Sequence, residues 1–301
     1  MSPARRKHGV PLVGFHVSIA GSVALAVDRA QELGCTTFQV FTGNPRSWTS
    51  SPISAEAATA FREKRSGAGF AKVAAHMPYL ANLASSDAST MRLSRAALRE
   101  GVRRCQLLGI DYLVVHLGTH DGEGTAEGVK NVAEACNAAL ASSSDAGEGR
   151  RSGTVVLLEN MAGQGTGIGS RFEEIAAILD RIGDRGRAGV CFDTCHAFVA
   201  GYDLTSKRAV EETMGAFDEA VGLSRMKLVH LNDSKGSLGS RLDRHERVGL
   251  GRIGTKGFEA FLRHKKNAAL PLVMEPPEHD LSSFRGDIDL VRSMGGRARR
   301  G

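Results

Sequence analysis

The chain is poor in cysteine and contains no long apolar run. Its five cysteines among 301 residues form no Cys-x-x-Cys pair, which argues against a disulfide framework and against a zinc finger. We therefore expect reduced thiols in a cytoplasmic protein. No apolar stretch reaches the length of a membrane span, so no membrane segment is expected. The early run VPLVGFHVSIAG (10–21) is interrupted by His16 and Ser18, which favours a first strand over a signal peptide.

The chain has no strong excess of charge of one sign, and it lacks the sequence motifs of nucleotide-binding loops. The 39 Lys and Arg residues outnumber the 33 Asp and Glu residues for a net charge of +6, a balance that fits a polyanionic partner and ordinary surface charge equally well. No GxGxxG sequence opens a helix after the first strand, and no Walker sequence occurs. A dinucleotide or P-loop site is therefore not predicted, and we expect no organic cofactor.

Short apolar runs recur along the whole chain. Their unbroken hydrophobicity and β-branched content predict strands that are buried on both faces. The eight runs are VGFHVS (13–18), TTFQVFT (36–42), KVAAHM (72–77), YLVVHLG (112–118), TVVLLEN (154–160), GVCFDTCH (189–196), MKLVHLND (226–233) and PLVMEPP (271–277).

Segments of helical character separate these runs. RFEEIAAILDRIG (171–183) repeats apolar residues at helical spacing, and SVALAVDRAQELG (22–34) ends on a glycine. Eight strand–helix units predict a (β/α)8 TIM barrel of the α/β class in preference to a doubly wound open sheet. We expect a single domain over 11–296, with basic flexible tails at 1–10 and 297–301. Further predicted helices cover 54–67, 94–109, 125–142, 207–221 and 255–265, and a surface loop is predicted over 142–153.

Polar side chains gather where the predicted strands end. In a (β/α)8 barrel the C-terminal strand ends converge on one mouth, where the active sites of this fold lie. A single histidine at a strand end is more often a packed core residue than a ligand. Here half of the ten histidines occupy such places or the loop after the seventh strand. The full set is His76, His116, Glu159, Asp193, His196, His230, Asp243, His245 and Glu275.

Four carboxylates in one partly buried mouth would repel one another. An uncompensated buried charge costs on the order of several kcal/mol, and no lysine or arginine stands at these strand ends. Divalent cations would resolve the repulsion, and a His/Asp/Glu donor set suits zinc or manganese. Cys191 and Cys195 flank Asp193, but we do not take them as ligands. Nine donors suffice for three ions if one carboxylate bridges two of them, which predicts a site for a phosphodiester.

Several long motifs resemble the endonuclease IV family of zinc-dependent apurinic/apyrimidinic endonucleases. They are spread over nearly the whole chain and occur in family order, and the longest are highly specific. The matching stretches are GFHVSIAG (14–21), FTGNPRSW (41–48), HMPYLANLA (76–84), HLGTH (116–120), ENMAGQG (159–165), FDTCHAFVAGYD (192–203), HLNDSKGSLGSRLDRHERVGLGRIG (230–254) and MEPP (274–277).

The resemblance implies three zinc ions per chain, with manganese as an alternative in one site. Glu159 would bridge the first two ions and act in catalysis by orienting a hydroxide. The first ion would be held by His76, His116 and Glu159, the second by Glu159, Asp193, His230 and Glu275, and the third by His196, Asp243 and His245.

The resemblance also implies a reaction and a setting for it. The phosphodiester 5′ to an abasic site in duplex DNA would be hydrolysed by hydroxide held between the first two zincs. The products would be a 3′-hydroxyl and a 5′-deoxyribose phosphate, and 3′-blocking groups would be removed as well. We expect a monomer in the bacterial cytoplasm, associated with the nucleoid through DNA.

Damage recognition calls for side chains that fill the gap at a flipped-out abasic nucleotide. By resemblance, Arg46 and Tyr79 penetrate the duplex near the lesion. Leu80 accompanies Tyr79 in its loop, and Trp48 is either a DNA contact or a core anchor. Candidate phosphate contacts around the mouth are Asn232, Lys235, Arg241 and Arg244, for which ordinary surface charge is the alternative at Lys235 and Arg241.

The chain departs from the family pattern at three places, none of which is a predicted ligand. Glu275 is followed by Pro276 rather than by a threonine, which removes a hydroxyl beside the site. Ser47 stands where some members carry a longer amide. The segment 142–153 looks like a local insertion.

Two other functions compete with a repair nuclease. Sugar isomerases and epimerases also place His, Glu and Asp at the strand ends of a barrel, but they typically bind one or two metals. They lack the paired Asp243 and His245 and the loops that carry Arg46 and Tyr79. A noncatalytic DNA-binding module has no need for a three-metal donor set. The intact set therefore favours the nuclease.

Overall fold

The computed structural model is a barrel of eight parallel strands surrounded by helices. It describes residues 11–142, 153–264, 266–277 and 281–296. The predicted tails at 1–10 and 297–301, and all but the ends of the predicted loop at 142–153, lie outside the described residues. The eight strands of the barrel alternate with helices along the chain, as the apolar runs predict.

Each barrel strand is short and falls on one of the predicted apolar runs. The observed strands end one to three residues before the predicted runs do. The strands are β1 (Leu12–Phe15), β2 (Phe38–Phe41), β3 (Val73–His76), β4 (Tyr112–Val115), β5 (Val155–Glu159), β6 (Ala188–Asp193), β7 (Met226–His230) and β10 (Pro271–Met274). Between β7 and β10, β8 (Asp233–Ser234) and β9 (His245–Glu246) form a small antiparallel ribbon.

The sheet runs in the order β1-β10-β7-β6-β5-β4-β3-β2, and every neighbouring pair in it is parallel. Its two ends meet through a parallel bridge between His16 and Gln39, supported by a hydrogen bond from the Val17 amide to the Gln39 carbonyl at 2.8 Å. The sheet is thereby nearly closed, and all eight C-terminal strand ends face one mouth. This arrangement confirms the predicted TIM barrel.

Side-chain alternation along the strands explains where the polar residues point. An inner cluster of buried residues fills the barrel, and it includes Leu157 on β5, Cys191 on β6 and Val273 on β10. Their neighbours in sequence belong instead to the larger cluster between sheet and helices. Because strand side chains alternate with period two, the residues two positions further on extend from the inner face into the mouth. Those residues are His76, His116, Glu159, Asp193, His230 and Glu275, which follow Ala74, Val114, Leu157, Cys191, Leu228 and Val273.

The helices pack outside the strands, and several of them begin at a hydrogen-bonding cap. The side chains of Ser54, Asp87 and Ser206 each accept a hydrogen bond from the backbone N–H three residues later, as N-cap residues do. The helices are α1 (Leu25–Glu32), α2 (Ala55–Gly67), α3 (Ala88–Leu108), α4 (Thr125–Ala141), α5 (Phe172–Arg181), α6 (Thr194–Ala200), α7 (Lys207–Ala220), α8 (Gly254–Arg263) and α9 (Leu281–Gly295).

The apolar run over 189–196 forms a strand only in its first part, with Asp193 at the strand end and His196 just beyond it, as expected from the sequence. The strand β6 stops at Asp193 and the short helix α6 begins at Thr194. Asp193 caps this helix, since its Oδ1 accepts a hydrogen bond from the His196 amide at 2.7 Å. Capping by Asp193 turns the chain at once, so that His196 points into the mouth from a helix rather than from a strand.

All five cysteines are buried free thiols, as predicted. Burial raises the pKa of Cys35, Cys136, Cys191 and Cys195 to about 12, so these sulfurs stay protonated at neutral pH. Within the described residues, no helix combines the length and the apolar character needed to cross a membrane.

One buried carboxylate organises the loop between β9 and α8. Asp233 is fully buried and accepts five backbone N–H groups at 2.8 to 3.2 Å, from Ser234, Gly249, Gly251, Ile253 and Gly254. Asp233 is not among the residues predicted from the sequence. Since the β8–β9 ribbon carries His245, this carboxylate also fixes the base of the mouth.

Replacing Asp233 with Asn should therefore destabilise the protein. The amide nitrogen cannot accept from backbone N–H groups, so at least two of the five bonds are lost and the donors stay buried. We expect the free energy of unfolding, measured in urea, to fall by about 3 kcal/mol.

Asp218 offers a matched control, because it accepts a single hydrogen bond from the Leu223 amide at an exposed position. The substitution Asp218→Asn should cost less than about 1 kcal/mol. Equal losses in the two variants would contradict the assigned role of Asp233.

Candidate metal centre

The structure brings all nine predicted metal ligands into the mouth of the barrel. Their donor atoms form three groups, and within each group the atoms lie within 4.8 Å of one another. Within the described residues, these groups are His76, His116 and Glu159; Glu159, Asp193, His230 and Glu275; and His196, Asp243 and His245.

Glu159 is the centre of the first two groups. This carboxylate at the end of β5 is fully buried. Its Oε2 lies 3.1 Å from His76 Nε2 and 3.2 Å from His116 Nε2. Its Oε1 lies 3.0 Å from His230 Nδ1 and 3.4 Å from His196 Nδ1. One carboxylate thus faces four imidazoles, with each oxygen directed to a different pair.

The second group adds two carboxylates from neighbouring strands. His230 Nδ1 lies 3.3 Å from Glu275 Oε2 and 3.8 Å from Asp193 Oδ2. The strand register explains this proximity, because Asp193 pairs directly with His230 across β6 and β7. Together with Glu159, these residues place three carboxylates around one imidazole nitrogen.

The third group combines α6 with the loop before β9. His196 Nε2 lies 3.2 Å from Asp243 Oδ2, and His245 Nε2 lies 3.4 Å from Asp243 Oδ1. Both Nε2 atoms are buried, yet neither makes a hydrogen bond, so the approach to Asp243 is close without the geometry of a hydrogen bond. Two buried nitrogen atoms that face one carboxylate without a hydrogen bond to it match the donor set of a metal ion.

Histidine and carboxylate charges compensate one another in the mouth. Burial would raise the pKa of Glu159, but His230 and His116 outweigh burial and hold the pKa well below its usual value. Burial would likewise raise the pKa of Asp243, but His196 outweighs it and brings the pKa to about 2. Among the described residues, no lysine or arginine forms an ion pair with the carboxylates of the three groups; the partners within 4.0 Å are His16 and five group histidines.

The remaining ring nitrogens are held by neighbouring carbonyl groups. His76 Nδ1 lies 2.7 Å from the Met77 carbonyl, and His196 Nδ1 lies 2.9 Å from the Asn160 carbonyl. His245 Nδ1 lies 3.2 Å from the Glu275 carbonyl. Because a carbonyl oxygen only accepts, Nδ1 of each of these rings carries a proton, and in the neutral ring Nε2 is left with the lone pair that a cation can bind. Outer partners of this kind orient metal-binding histidines.

Gln39 is a site residue that the sequence analysis missed. It lies on β2, fully buried, and its Oε1 is 3.0 Å from His230 Nε2. Its Nε2 donates to Glu275 Oε1 at 2.8 Å and lies 3.1 Å from His16 Nδ1. One amide thus orients a histidine and a carboxylate of the second group. The signal in the sequence was a polar residue inside the apolar run TTFQVFT (36–42), at the strand position that faces the barrel interior.

Asn232 does not lie on the rim where the sequence analysis placed it. It is 1% exposed, and its Nδ2 donates to Asp193 Oδ2 at 2.7 Å and to Glu275 Oε2 at 3.3 Å. Its Oδ1 accepts from the Glu275 amide at 2.8 Å. These contacts are those of a residue that orients carboxylates, because both ends of its side-chain amide are used beneath the mouth.

The other predicted DNA contacts lie on loops around the mouth. Trp48, Tyr79 and Leu80 are exposed by 39%, 57% and 40%, so Trp48 is not a core anchor. The Tyr79 ring lies 5.2 Å from the ring of Phe41 and 5.9 Å from that of His116, directly beside the first group. The remaining exposed predicted contacts are Arg46, Lys235, Arg241 and Arg244.

Cys195 also approaches the donor atoms, in a group with Asp193 and His245. Its sulfur lies 3.9 Å from the Arg244 carbonyl. Burial, together with the charge of Asp193, raises the pKa of this thiol to about 12. The three groups of imidazoles and carboxylates contain all nine predicted donors without Cys195.

Comparisons with known proteins find relatives that span nearly the whole chain. Residues 27–294 match the xylose isomerase-like TIM barrel family. A protein named probable endonuclease 4 from Methanoculleus marisnigri is 49% identical, over 95% of this chain and 99% of that protein. The crystal structure of endonuclease IV from Thermus thermophilus superposes with a TM-score of 0.83 at 36% identity, covering 94% of this chain and 98% of that one.

More distant structures share the fold alone. A D-tagatose 3-epimerase-like protein superposes with a TM-score of 0.69 at 19% identity, over 94% of this chain and 98% of that one. The barrel by itself therefore does not separate a nuclease from a sugar epimerase, and the side chains of the mouth must do so.

The double role of Gln39 can be tested by two substitutions. Gln39→Met leaves His230 Nε2 without its acceptor and removes one hydrogen-bond donor from Glu275 Oε1, and it should lower the free energy of unfolding by about 2 kcal/mol. Gln39→Glu should cost more, because it sets a carboxylate against Glu275. Urea unfolding of both variants measures the losses. Gln31→Glu, at an exposed position on α1, is the control and should match the wild type; a Gln39→Glu variant as stable as this control would contradict the assignment.

Proposed function

This chain belongs to the xylose isomerase-like TIM barrel family and, within it, to the endonuclease 4 family, and from that premise we propose that it is a DNA repair endonuclease. Its substrate would be duplex DNA that contains an apurinic or apyrimidinic site. The bond hydrolysed would be the phosphodiester 5′ to that site. Removal of 3′-blocking groups would be a related activity of the same centre.

The observation that carries this proposal is the sharing of Glu159 between two of three donor groups. A phosphodiester has to be held, attacked and relieved of a leaving alkoxide. Three cation sites, two of which share one carboxylate, suit these tasks better than the one or two sites typical of sugar isomerases and epimerases. The third group, with Asp243 and His245, therefore argues against an epimerase.

The residues present fit divalent metal ions. The donors are imidazole nitrogens and carboxylate oxygens, and the outer ring nitrogens are held by carbonyl groups and by Gln39. We propose three zinc ions, one for each donor group, with manganese as an alternative in one of them. When bound, such ions supply positive charge to the phosphate and a water that ionises near neutral pH.

Residues of the chain would orient the attacking water and the carboxylates around it. The carboxylate of Glu159 would accept a hydrogen bond from the attacking water and hold it in line with the phosphorus. Asn232 and Gln39 would keep Glu275 in place during the reaction. The bond between phosphorus and the 3′ oxygen would break, the 3′ oxygen would gain a proton, and the phosphate would remain on the abasic deoxyribose.

Recognition would use the exposed loops. Tyr79 and Leu80 lie beside the first donor group, and Arg46 and Trp48 lie on the loop after β2. An abasic nucleotide is poorly stacked and cheap to extrude, so these side chains could occupy the space it leaves. Lys235, Arg241 and Arg244 would contact backbone phosphates. We further propose that the protein acts as a monomer in the cytoplasm.

Loss of the shared carboxylate should stop catalysis. Glu159→Gln keeps the volume of the side chain but removes its charge, and incision of a duplex oligonucleotide with one abasic analogue should fall on the order of a thousandfold. The metal content of the purified variant should fall too, since two donor groups lose a ligand. Incision is measured on denaturing gels and metal by mass spectrometry.

Cys195→Ala is the matched control for this variant. It removes a buried group from the same mouth but no proposed ligand, so metal content and incision should stay at wild-type values. Near-normal turnover by Glu159→Gln would disprove the shared-ligand scheme. A metal-loaded wild type that leaves the abasic strand intact would overturn the nuclease assignment, and sugar isomerisation would be assayed next.

Tyr79 should affect recognition rather than metal binding. In Tyr79→Ala the affinity for duplex with an abasic site should fall about tenfold, because aromatic stacking on bases contributes on the order of 1–3 kcal/mol. Affinity for intact duplex and metal content should not change. Tyr79→Phe keeps the ring and should bind like the wild type. Fluorescence anisotropy with labelled duplexes measures both affinities, and an unchanged preference in Tyr79→Ala would refute this role.

A further inference from the structure

A buried arginine lies under the loop that follows β2. Arg104 belongs to α3, and only 4% of it is exposed. Its neighbour Arg103 is on the outer face of the same helix, with 59% of its side chain exposed. Both contact the carboxylate of Glu100. A guanidinium stays charged when buried, so its donors need partners.

Those partners are backbone carbonyls at the two ends of one loop. Arg104 Nη1 donates to the Thr42 carbonyl at 2.7 Å. Its Nη2 donates to the Ser51 carbonyl at 2.8 Å and to the Ser50 carbonyl at 3.1 Å. Its Nε donates to Glu100 Oε1 at 2.7 Å. The planar fork therefore joins the beginning and the end of a segment that we name the β2 loop, residues 42–51.

Between these anchors, the hydrogen bonds of the β2 loop are internal to the loop. In the described part of the chain, the hydrogen bonds of residues 43–49 join these residues only to one another, as from the Arg46 amide to Asn44 Oδ1 at 2.9 Å. The loop ends also lie against each other, since a side chain at Gly43 would collide with Ser50. A loop with only internal bonds depends on the points where it is anchored.

The segment between the anchors carries two exposed side chains that can reach a ligand. Arg46 is exposed, and Trp48 is 39% exposed although it is the chain's only tryptophan. An exposed aromatic and an exposed cation on a loop at the mouth suit contact with a nucleic acid. Their positions relative to the mouth are set by where the loop ends are tied.

We propose that Arg104 is a positioning residue that fixes the β2 loop, and that it thereby sets where Arg46 and Trp48 meet the DNA. The statement that Arg104 fixes the β2 loop is the loop half of this proposal, and it does not depend on the proposed function. The statement that Arg104 thereby influences DNA recognition is the recognition half, and it rests on the proposed function. Lysine could not replace Arg104, because one ammonium group cannot span three carbonyls and a carboxylate in a plane. The residue would act on lesion discrimination without touching DNA.

The single tryptophan makes the loop half directly measurable. Trp48 fluorescence reports on the β2 loop alone, so acrylamide quenching and anisotropy can be read in the full-length protein without any substrate. In Arg104→Met, quenching of Trp48 should rise toward that of the unfolded chain and the anisotropy should fall. Arg103→Met is the matched control, since it removes the adjacent arginine from the same carboxylate, and it should give wild-type values.

The recognition half is measured by binding. Arg104→Met should lose about tenfold of the preference for abasic over intact duplex, a change of about 1.4 kcal/mol, with metal content unchanged. Arg103→Met should keep the full preference. A purely structural role would lower the melting temperature without changing the ratio of the two affinities.

Arg104→Lys covers the case in which the methionine variant fails to fold. It keeps the charge beside Glu100 and should give intermediate quenching and preference. Wild-type Trp48 quenching in a folded Arg104 variant would overturn the proposal. A shift in quenching with no change in preference would overturn its recognition half. If the wild type shows no preference for abasic duplex, the proposed function fails, while a quenching shift in Arg104→Met would still support the loop half.

Discussion

The structure depends on one buried carboxylate and the imidazoles around it. Glu159 has no exposed surface, and it faces four histidine nitrogens within 3.4 Å. An ionised acid in this position is costly unless positive charge or metal compensates it. The pKa directions in the mouth show carboxylates held ionised by neighbouring histidines. The ionised carboxylates of the mouth, together with the imidazole nitrogens beside them, are also the donor atoms that a divalent cation binds.

Around this centre, neutral polar groups form hydrogen bonds that orient the imidazoles and carboxylates of the mouth. Gln39 and Asn232 use both ends of their amides, and the backbone carbonyls of Met77, Asn160 and Glu275 hold ring nitrogens. None of these groups adds charge, so they orient the donors without competing for cations. Their bonds also explain why the missing hydroxyl at Pro276 need not disturb Glu275, whose backbone amide and carboxylate are already bonded to Asn232.

A second principle governs the loops at the rim. Two of them are tied to buried charges that bind backbone rather than side chains: Asp233 accepts five amides of the loop before α8, and Arg104 donates to three carbonyls of the β2 loop. Backbone anchoring leaves the outward side chains free to contact a ligand. An exposed residue such as Trp48 can then be held in place without being buried.

The sequence alone was sufficient for the barrel and for the nine side chains that meet in its mouth. Unbroken apolar runs specify strands buried on both faces, and period two carries a polar residue at each strand end into the mouth. The sequence could not show that a helix begins directly after β6, because that turn depends on the cap that Asp193 makes with the His196 amide. Nor could it show the roles of Gln39, Asn232, Asp233 and Arg104. Most of their partners lie between 16 and 236 positions away along the chain, and such contacts exist only once the barrel has closed.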